Sequence, residues 1–189
     1  MSPQPPFFVL GMPRARTAWL AEFLSTIRRR CHHEPSQWLR GRAGFQEFLR
    51  SPNLAISDSM MTLRWREILD LRPDARIVVA YRDIDAVIFS FMKAGLWHPR
   101  IRPLLQRLDA ELATLMCARE VFYVPFDEMG DRDRMENLYR YCNGSAMPPG
   151  WWQKWKDRKV LASIPEMFER TAANADGLLD LYPELKETV

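Results

Sequence analysis

An α/β fold around a five-stranded parallel sheet is predicted by two features of the sequence. Short apolar runs alternate with segments of helical period, and the first run leads through a glycine and a proline straight into a helical stripe. Strands joined by helices in this way form a parallel sheet with helices packed on it. With 189 residues, 47% of them hydrophobic, the chain is long enough for a real core and is expected to fold as one domain over residues 1–189.

The elements follow in order. The Pro-rich head from Ser2 to Pro6 is expected to fray, and the first strand is Phe7–Leu10. Trp19, Leu20, Phe23, Leu24 and Ile27 form the stripe of the first helix, which is expected to start near Arg14. A weaker run near Arg30–His33 supplies the second strand, Leu54–Ile56 the third, Arg76–Tyr81 the fourth and Val121–Val124 the fifth. After the fourth comes the stripe Ile84, Val87, Ile88, Phe91 and Met92, with Asp83 as N-cap and Gly95 as C-cap residue. Leu104, Leu105, Leu108, Leu112, Leu115 and Met116 form another stripe leading into the fifth strand. Beyond an irregular loop from Asn143 to Gly150, a C-terminal helix opens near Ser163, carries Pro165 in its first turn and ends before Pro183. All these stripes are assigned to the core.

Composition narrows the function classes. The apolar run at Phe7 is too short for a signal peptide, and nothing approaches the roughly 18 apolar residues of a membrane span. A cytoplasmic location without a membrane partner is therefore expected. Cys31, Cys117 and Cys142 are odd in number and widely spaced, which argues against a disulfide framework and a zinc site. A net charge of +3 is too weak for the basic stripe of a nucleic-acid binder. The cations are mostly arginine, the side chain suited to bidentate phosphate and sulfate recognition, and point to a small anionic ligand. Oligomeric state is left open.

The loop Gly11-Met12-Pro13-Arg14-Ala15-Arg16-Thr17 places unpaired backbone N–H groups at the carboxyl edge of the sheet, where a helix N-terminus attracts phosphate. Arg14 and Arg16 add charge and Thr17 a hydroxyl. Read as Walker A, the positions due Gly, Lys and Ser/Thr hold Arg16, Thr17 and Ala18, so the magnesium-binding hydroxyl is missing. The loop is built for an anion, and no metal is expected.

Pro13-Arg14-Ala15-Arg16-Thr17-Ala18-Trp19-Leu20 resembles the 5′-phosphosulfate loop P-K/R-S-G-T-T-W-L of the sulfotransferases that use 3′-phosphoadenosine 5′-phosphosulfate (PAPS). Pro13, Arg14, Thr17, Trp19 and Leu20 agree; Ala15, Arg16 and Ala18 depart. The family binds the nucleotide 3′-phosphate with an Arg after a buried strand and a Ser eight residues on, and Arg82 and Ser90 have that spacing. Phe126-Asp127-Glu128-Met129 is similar to the Tyr-Glu-Asp-Leu after a later family strand, while the family's Arg-Lys-Gly loop is absent, with Arg158 and Lys159 as stand-ins or a solvated turn. The resemblance implies a three-layer P-loop NTPase-like fold, PAPS as co-substrate, and a site formed by Arg14, Ala15, Arg16, Thr17, Ala18, Trp19, Arg82 and Ser90.

In that reading Arg14 stabilises the sulfuryl group and the leaving oxygen, and a base takes the acceptor proton. Tyrosylprotein and heparan-type members place a Glu after the loop, which makes Glu34 in Cys31-His32-His33-Glu34-Pro35 the first choice, with His33 as its substitute or orienter. Asp58 in Ser57-Asp58-Ser59 is the counterpart of the cytosolic enzymes' His, or else a helix cap. Trp151, Trp152, Trp155 and Trp97 are assigned mainly to packing, with stacking on adenine or lining an acceptor pocket left open. The acceptor is an unspecified hydroxyl or amine. Two further classes stand beside this one: a magnesium-dependent P-loop kinase-like phosphotransferase, and a non-catalytic nucleotide-binding protein of the same fold.

Overall fold

The computed structural model describes residues 4–160 and 164–187. Within them the strands are β1 (Phe7–Gly11), β2 (His32–His33), β3 (Ala55–Ser57), β4 (Arg76–Tyr81) and β5 (Phe122–Pro125). The helices are α1 (Thr17–Leu24), α2 (Gly41–Leu49), α3 (Trp65–Leu71), α4 (Ile84–Lys93), α5 (Ile101–Ala118), α6 (Arg132–Asn143), α7 (Trp151–Trp155), α8 (Ile164–Ala173) and α9 (Ala175–Leu181). Short 3₁₀ turns occupy Pro35–Gln37, Met60–Arg64, Phe126–Gly130 and Pro183–Glu187.

The five strands form one sheet in the order β2-β3-β1-β4-β5, and every neighbouring pair is parallel. All residues of central β1 are buried, and in β4 only the two ends are partly exposed. That is why these strands read as unbroken apolar runs rather than as alternation. β1 sends its chain through α1 toward β2, whereas β4 sends its chain through α4 and α5 toward β5. Connections that leave adjacent parallel strands in opposite directions open a crevice at the strands' carboxyl ends. Here the crevice lies between the ends of β1 and β4.

Gly11, the last residue of β1, is opposite Ala80 of β4, and a Cβ on it would collide with the Ala80 carbonyl. Its N–H donates to Thr62 Oγ1 at 3.0 Å, and the next amide, of Met12, donates to Ala80 O at 3.0 Å. The strand end is thereby pinned just before the loop begins.

The α4 ends are as the sequence indicates. Asp83 accepts from the amides of Asp85 and Ala86 at 2.9 and 3.0 Å, a cap contributing about 1 kcal/mol. Gly95 has φ 69°, and the bonds Gly95 N to Met92 O and Leu96 N to Phe91 O complete a Schellman motif.

Several expectations are corrected. The helix after β1 begins at Thr17, not Arg14, because Arg14 and Arg16 are left-handed with φ 63° and 58°. α1 stops at Leu24, where Ser25 Oγ donates to Ala21 O and accepts from Cys31 N. Ile27 therefore leaves the stripe and is fully exposed on a tight turn closed between Thr26 and Arg29. That turn also shortens β2 to two residues. Met92 and Met116 fall on exposed helix faces, outside the core. The C-terminal helix is two helices, α8 and α9, broken at Asn174, whose side-chain amide donates to Leu39 O at 2.8 Å; Ser163 itself lies outside the described residues.

The head is pinned where fraying was expected. Gln4 Nε2 donates to Asn143 O at 2.8 Å. Buried Arg29 lies 4.6 Å over the Phe7 ring and donates to Pro5 O, Cys142 O and Asn143 Oδ1 at 2.8, 2.6 and 3.1 Å. Ser2 and Pro3 lie outside the described residues.

Candidate functional site

The loop between β1 and α1 crosses the carboxyl end of the sheet. Arg16 is the N-cap residue of α1 in a left-handed conformation with no side-chain cap bond, so the first-turn amides of Thr17, Ala18 and Trp19 are donors that the helix does not use. A left-handed backbone costs an L-residue about 1–2 kcal/mol. The resemblance places the family's glycine at Arg16, and the backbone keeps the shape a glycine serves while carrying an arginine. Arg14 and Arg16 are exposed, Ala15 is fully buried and Ala18 half-buried.

Trp19 is turned away from this edge. Its side chain is buried, stacks on Phe23 at 4.8 Å between ring centroids and donates to Trp155 O at 3.1 Å. Only its backbone belongs to the loop. Arg158 lies 4.6 Å over the ring of the same Trp155.

The two elements that the sequence sets far apart meet across the β1/β4 crevice. Arg14 Nε donates to Ser90 Oγ at 3.0 Å, and Arg82 Nη1 donates to the Arg14 carbonyl at 2.9 Å. Arg82 also lies 4.1 Å over the ring of Phe126, at the end of β5, with Arg16 at 5.2 Å from the same ring. Burial, then the like charge of Arg14, lowers the Arg82 pKa from its ordinary value; Asp127 opposes this and Arg16 adds to it. Guanidinium groups remain cationic at neutral pH under such shifts. The result is a cationic edge facing unused backbone donors.

On the other side of β1, the Thr17 hydroxyl lies 3.4 Å from His33 Nε2, and the same nitrogen lies 3.7 Å from Glu34 Oε1. Glu34 follows β2 in a left-handed conformation with φ 45°, its amide donating to Ser57 O at 2.9 Å, while its Oε2 accepts from Gln37 Nε2 at 2.6 Å. Burial, then the charge of Asp58, pushes the Glu34 carboxyl up to about 7, with Arg170 pulling against the rise. Burial and Arg170 push His33 down to about 4, so near neutrality it is an uncharged imidazole. His32 points to the opposite face of β2, against Trp38 and Phe48, as strand alternation requires.

Asp58 is a cap. It is fully buried and accepts from the amides of Ser36, Met60 and Met61 at 2.9, 2.9 and 3.2 Å. No proton of an outside acceptor reaches it in this arrangement.

Sequence reasoning brought Arg14, Thr17, Arg82, Ser90, His33 and Glu34 to one edge. It assigned no role to Phe126, Gln37 or Arg170. Phe126 had a signal in its place directly after β5; Arg170 had none, since only the fold-back of α8 brings it near Glu34. No protein-family model and no curated protein matches the chain.

Proposed function

We propose that the chain is a sulfotransferase-like protein of P-loop NTPase-like fold that binds PAPS or its product 3′-phosphoadenosine 5′-phosphate and transfers a sulfuryl group to a hydroxyl or amine acceptor. The observation that carries the reading is the junction of Arg14 with Ser90 and Arg82 at the crevice between β1 and β4. Residues from the loop that meets a 5′-phosphosulfate and from the strand and helix that meet a 3′-phosphate lie within hydrogen-bond distance, as a ligand carrying both groups needs. The sheet order β2-β3-β1-β4-β5, with the loop after its central strand, supports the same reading.

In this mechanism the loop amides and Arg14 hold the phosphosulfate. The acceptor heteroatom forms its bond to sulfur as the bond from sulfur to the bridging phosphate oxygen breaks. Arg14 and the amides of Thr17 and Ala18 meet the negative charge left on the phosphate. The acceptor proton passes to the Glu34 carboxylate, whose pKa near 7 suits a general base at neutral pH. His33, neutral and between Thr17 and Glu34, orients the carboxylate toward the loop.

The test is calorimetric titration with 3′-phosphoadenosine 5′-phosphate in EDTA, beside ADP with magnesium. Metal-independent preference for the 3′-phosphorylated nucleotide supports the reading. Binding of ADP with magnesium alone replaces it with a kinase-like one, and binding of 3′-phosphoadenosine 5′-phosphate without turnover on a broad acceptor panel leaves a nucleotide-binding protein.

A further inference from the structure

Arg16 sits where a phosphosulfate loop needs only a backbone, yet its guanidinium has a defined place. It lies 5.2 Å from the Phe126 ring centroid, and Arg82 lies 4.1 Å from the same centroid. A single aromatic ring on β5's exit thus gathers a cation from the loop after β1 and a cation from the end of β4. Arg82 Nε is shielded from solvent with no hydrogen-bond partner among the described residues, while its Nη1 is spent on the Arg14 carbonyl. The acidic group acting on Arg82 is Asp127, against the two like charges of Arg14 and Arg16. Two cations held against one ring repel each other in the absence of an anion, and the ring's negative face offsets only part of that.

We infer that Arg16, held on Phe126 beside Arg82, is a specificity-determining residue that reads the second phosphate of a doubly phosphorylated nucleotide, so that the 3′-phosphate meets a pair of guanidinium groups rather than one. The inference rests on the functional reading above and adds to it a recognition role for the residue by which this loop departs from the family pattern. Guanidinium pairs grip a phosphate through several charge-assisted hydrogen bonds, and removal of one partner is felt mainly by the ligand that carries that phosphate.

The experiment compares 3′-phosphoadenosine 5′-phosphate with adenosine 5′-phosphate by calorimetry on the wild-type chain, Arg16→Gly and Phe126→Leu. Glycine is the residue best suited to φ 58°, so Arg16→Gly keeps the loop, which an unchanged or raised unfolding temperature checks. Arg16→Gly is expected to weaken the doubly phosphorylated nucleotide about tenfold and leave adenosine 5′-phosphate unchanged. Phe126→Leu is expected to act in the same direction, about threefold. Equal weakening of both nucleotides by Arg16→Gly overturns the inference by placing Arg16 at the 5′ group, and full retention of preference overturns it outright. If the wild-type chain shows no preference for the 3′-phosphate, the functional reading fails and this inference with it; a wild-type preference that survives Arg16→Gly sinks this inference alone.

Discussion

Arg14 and Ser90 are 76 residues apart in sequence and 3.0 Å apart at Nε and Oγ, and they join the loop after β1 to the middle of α4. Ser90→Ala releases the Arg14 side chain without touching the core, since Ser90 is only half-buried. Affinity for 3′-phosphoadenosine 5′-phosphate is expected to fall about five- to tenfold, with the unfolding temperature nearly unchanged. Calorimetry and a thermal melt on one preparation check both halves.

Arg82→Ala removes one of the cations gathered at the crevice between β1 and β4 and also the donor that holds the left-handed Arg14 peptide. It is expected to lower that affinity by more than tenfold and stability by about 1 kcal/mol. Unchanged affinity would reassign the second phosphate site.

Glu34 gives a pH signature whose sign is fixed by burial. Its folded pKa of about 7 lies above the ordinary 4.5, so between these values the folded state binds the extra proton and stability falls as pH rises. His33 has the opposite slope: with a folded pKa of about 4 against 6.5, its contribution rises with pH across that window. The two nearly cancel in the wild type. The stability difference between Glu34→Gln and wild type isolates the first: it is expected to grow in favour of the variant from pH 4.5 to 7, reaching on the order of 2–3 kcal/mol. Thermal melts at pH 4.5, 6 and 8 measure it. Once an acceptor is in hand, the variant is expected to lose turnover, whose wild-type rise with pH is centred near 7.

Gly11→Ala drives a methyl group into the Ala80 carbonyl at the junction of β1 and β4. A cost of about 3 kcal/mol is expected in urea unfolding, with nucleotide binding lost in the same variant because the loop starts one residue later.

Arg29→Lys keeps the charge and loses the fork that reaches Pro5, Cys142 and Asn143 together. A loss of about 2 kcal/mol is expected by the same method, with nucleotide affinity unchanged, since Arg29 lies at the opposite edge of the sheet.

The strands were legible wherever burial on both faces left an uninterrupted apolar run, as at Phe7 and at Ile77–Ala80. They were less so at the edge, where a turn closed between Thr26 and Arg29 precedes a two-residue β2. Caps on α4 were legible because Asp83 and Gly95 act through neighbours in sequence. The break at Asn174 was not, since the bond that makes it runs to Leu39, 135 residues away. At the site, spacing pointed to Arg82 and Ser90. It offered a helix cap as one reading of Asp58, whose bonds to Met60 and Met61 are local, but it carried no sign that the Ser36 amide also binds Asp58, nor that Phe126, just after β5, gathers two arginines, because both depend on elements distant in the chain.

The left-handed backbone at positions 14 and 16 bears on how this loop tolerates change. Its conformational penalty falls on almost any L-residue, so exchanging one side chain for another there leaves the folding free energy nearly where it was, while replacing the charge rewrites what the edge attracts. Under the functional reading proposed above, ligand preference at those two positions is thereby uncoupled from foldability, and the loop is a place where selection, natural or in the laboratory, explores new anions at little risk to the sheet beneath.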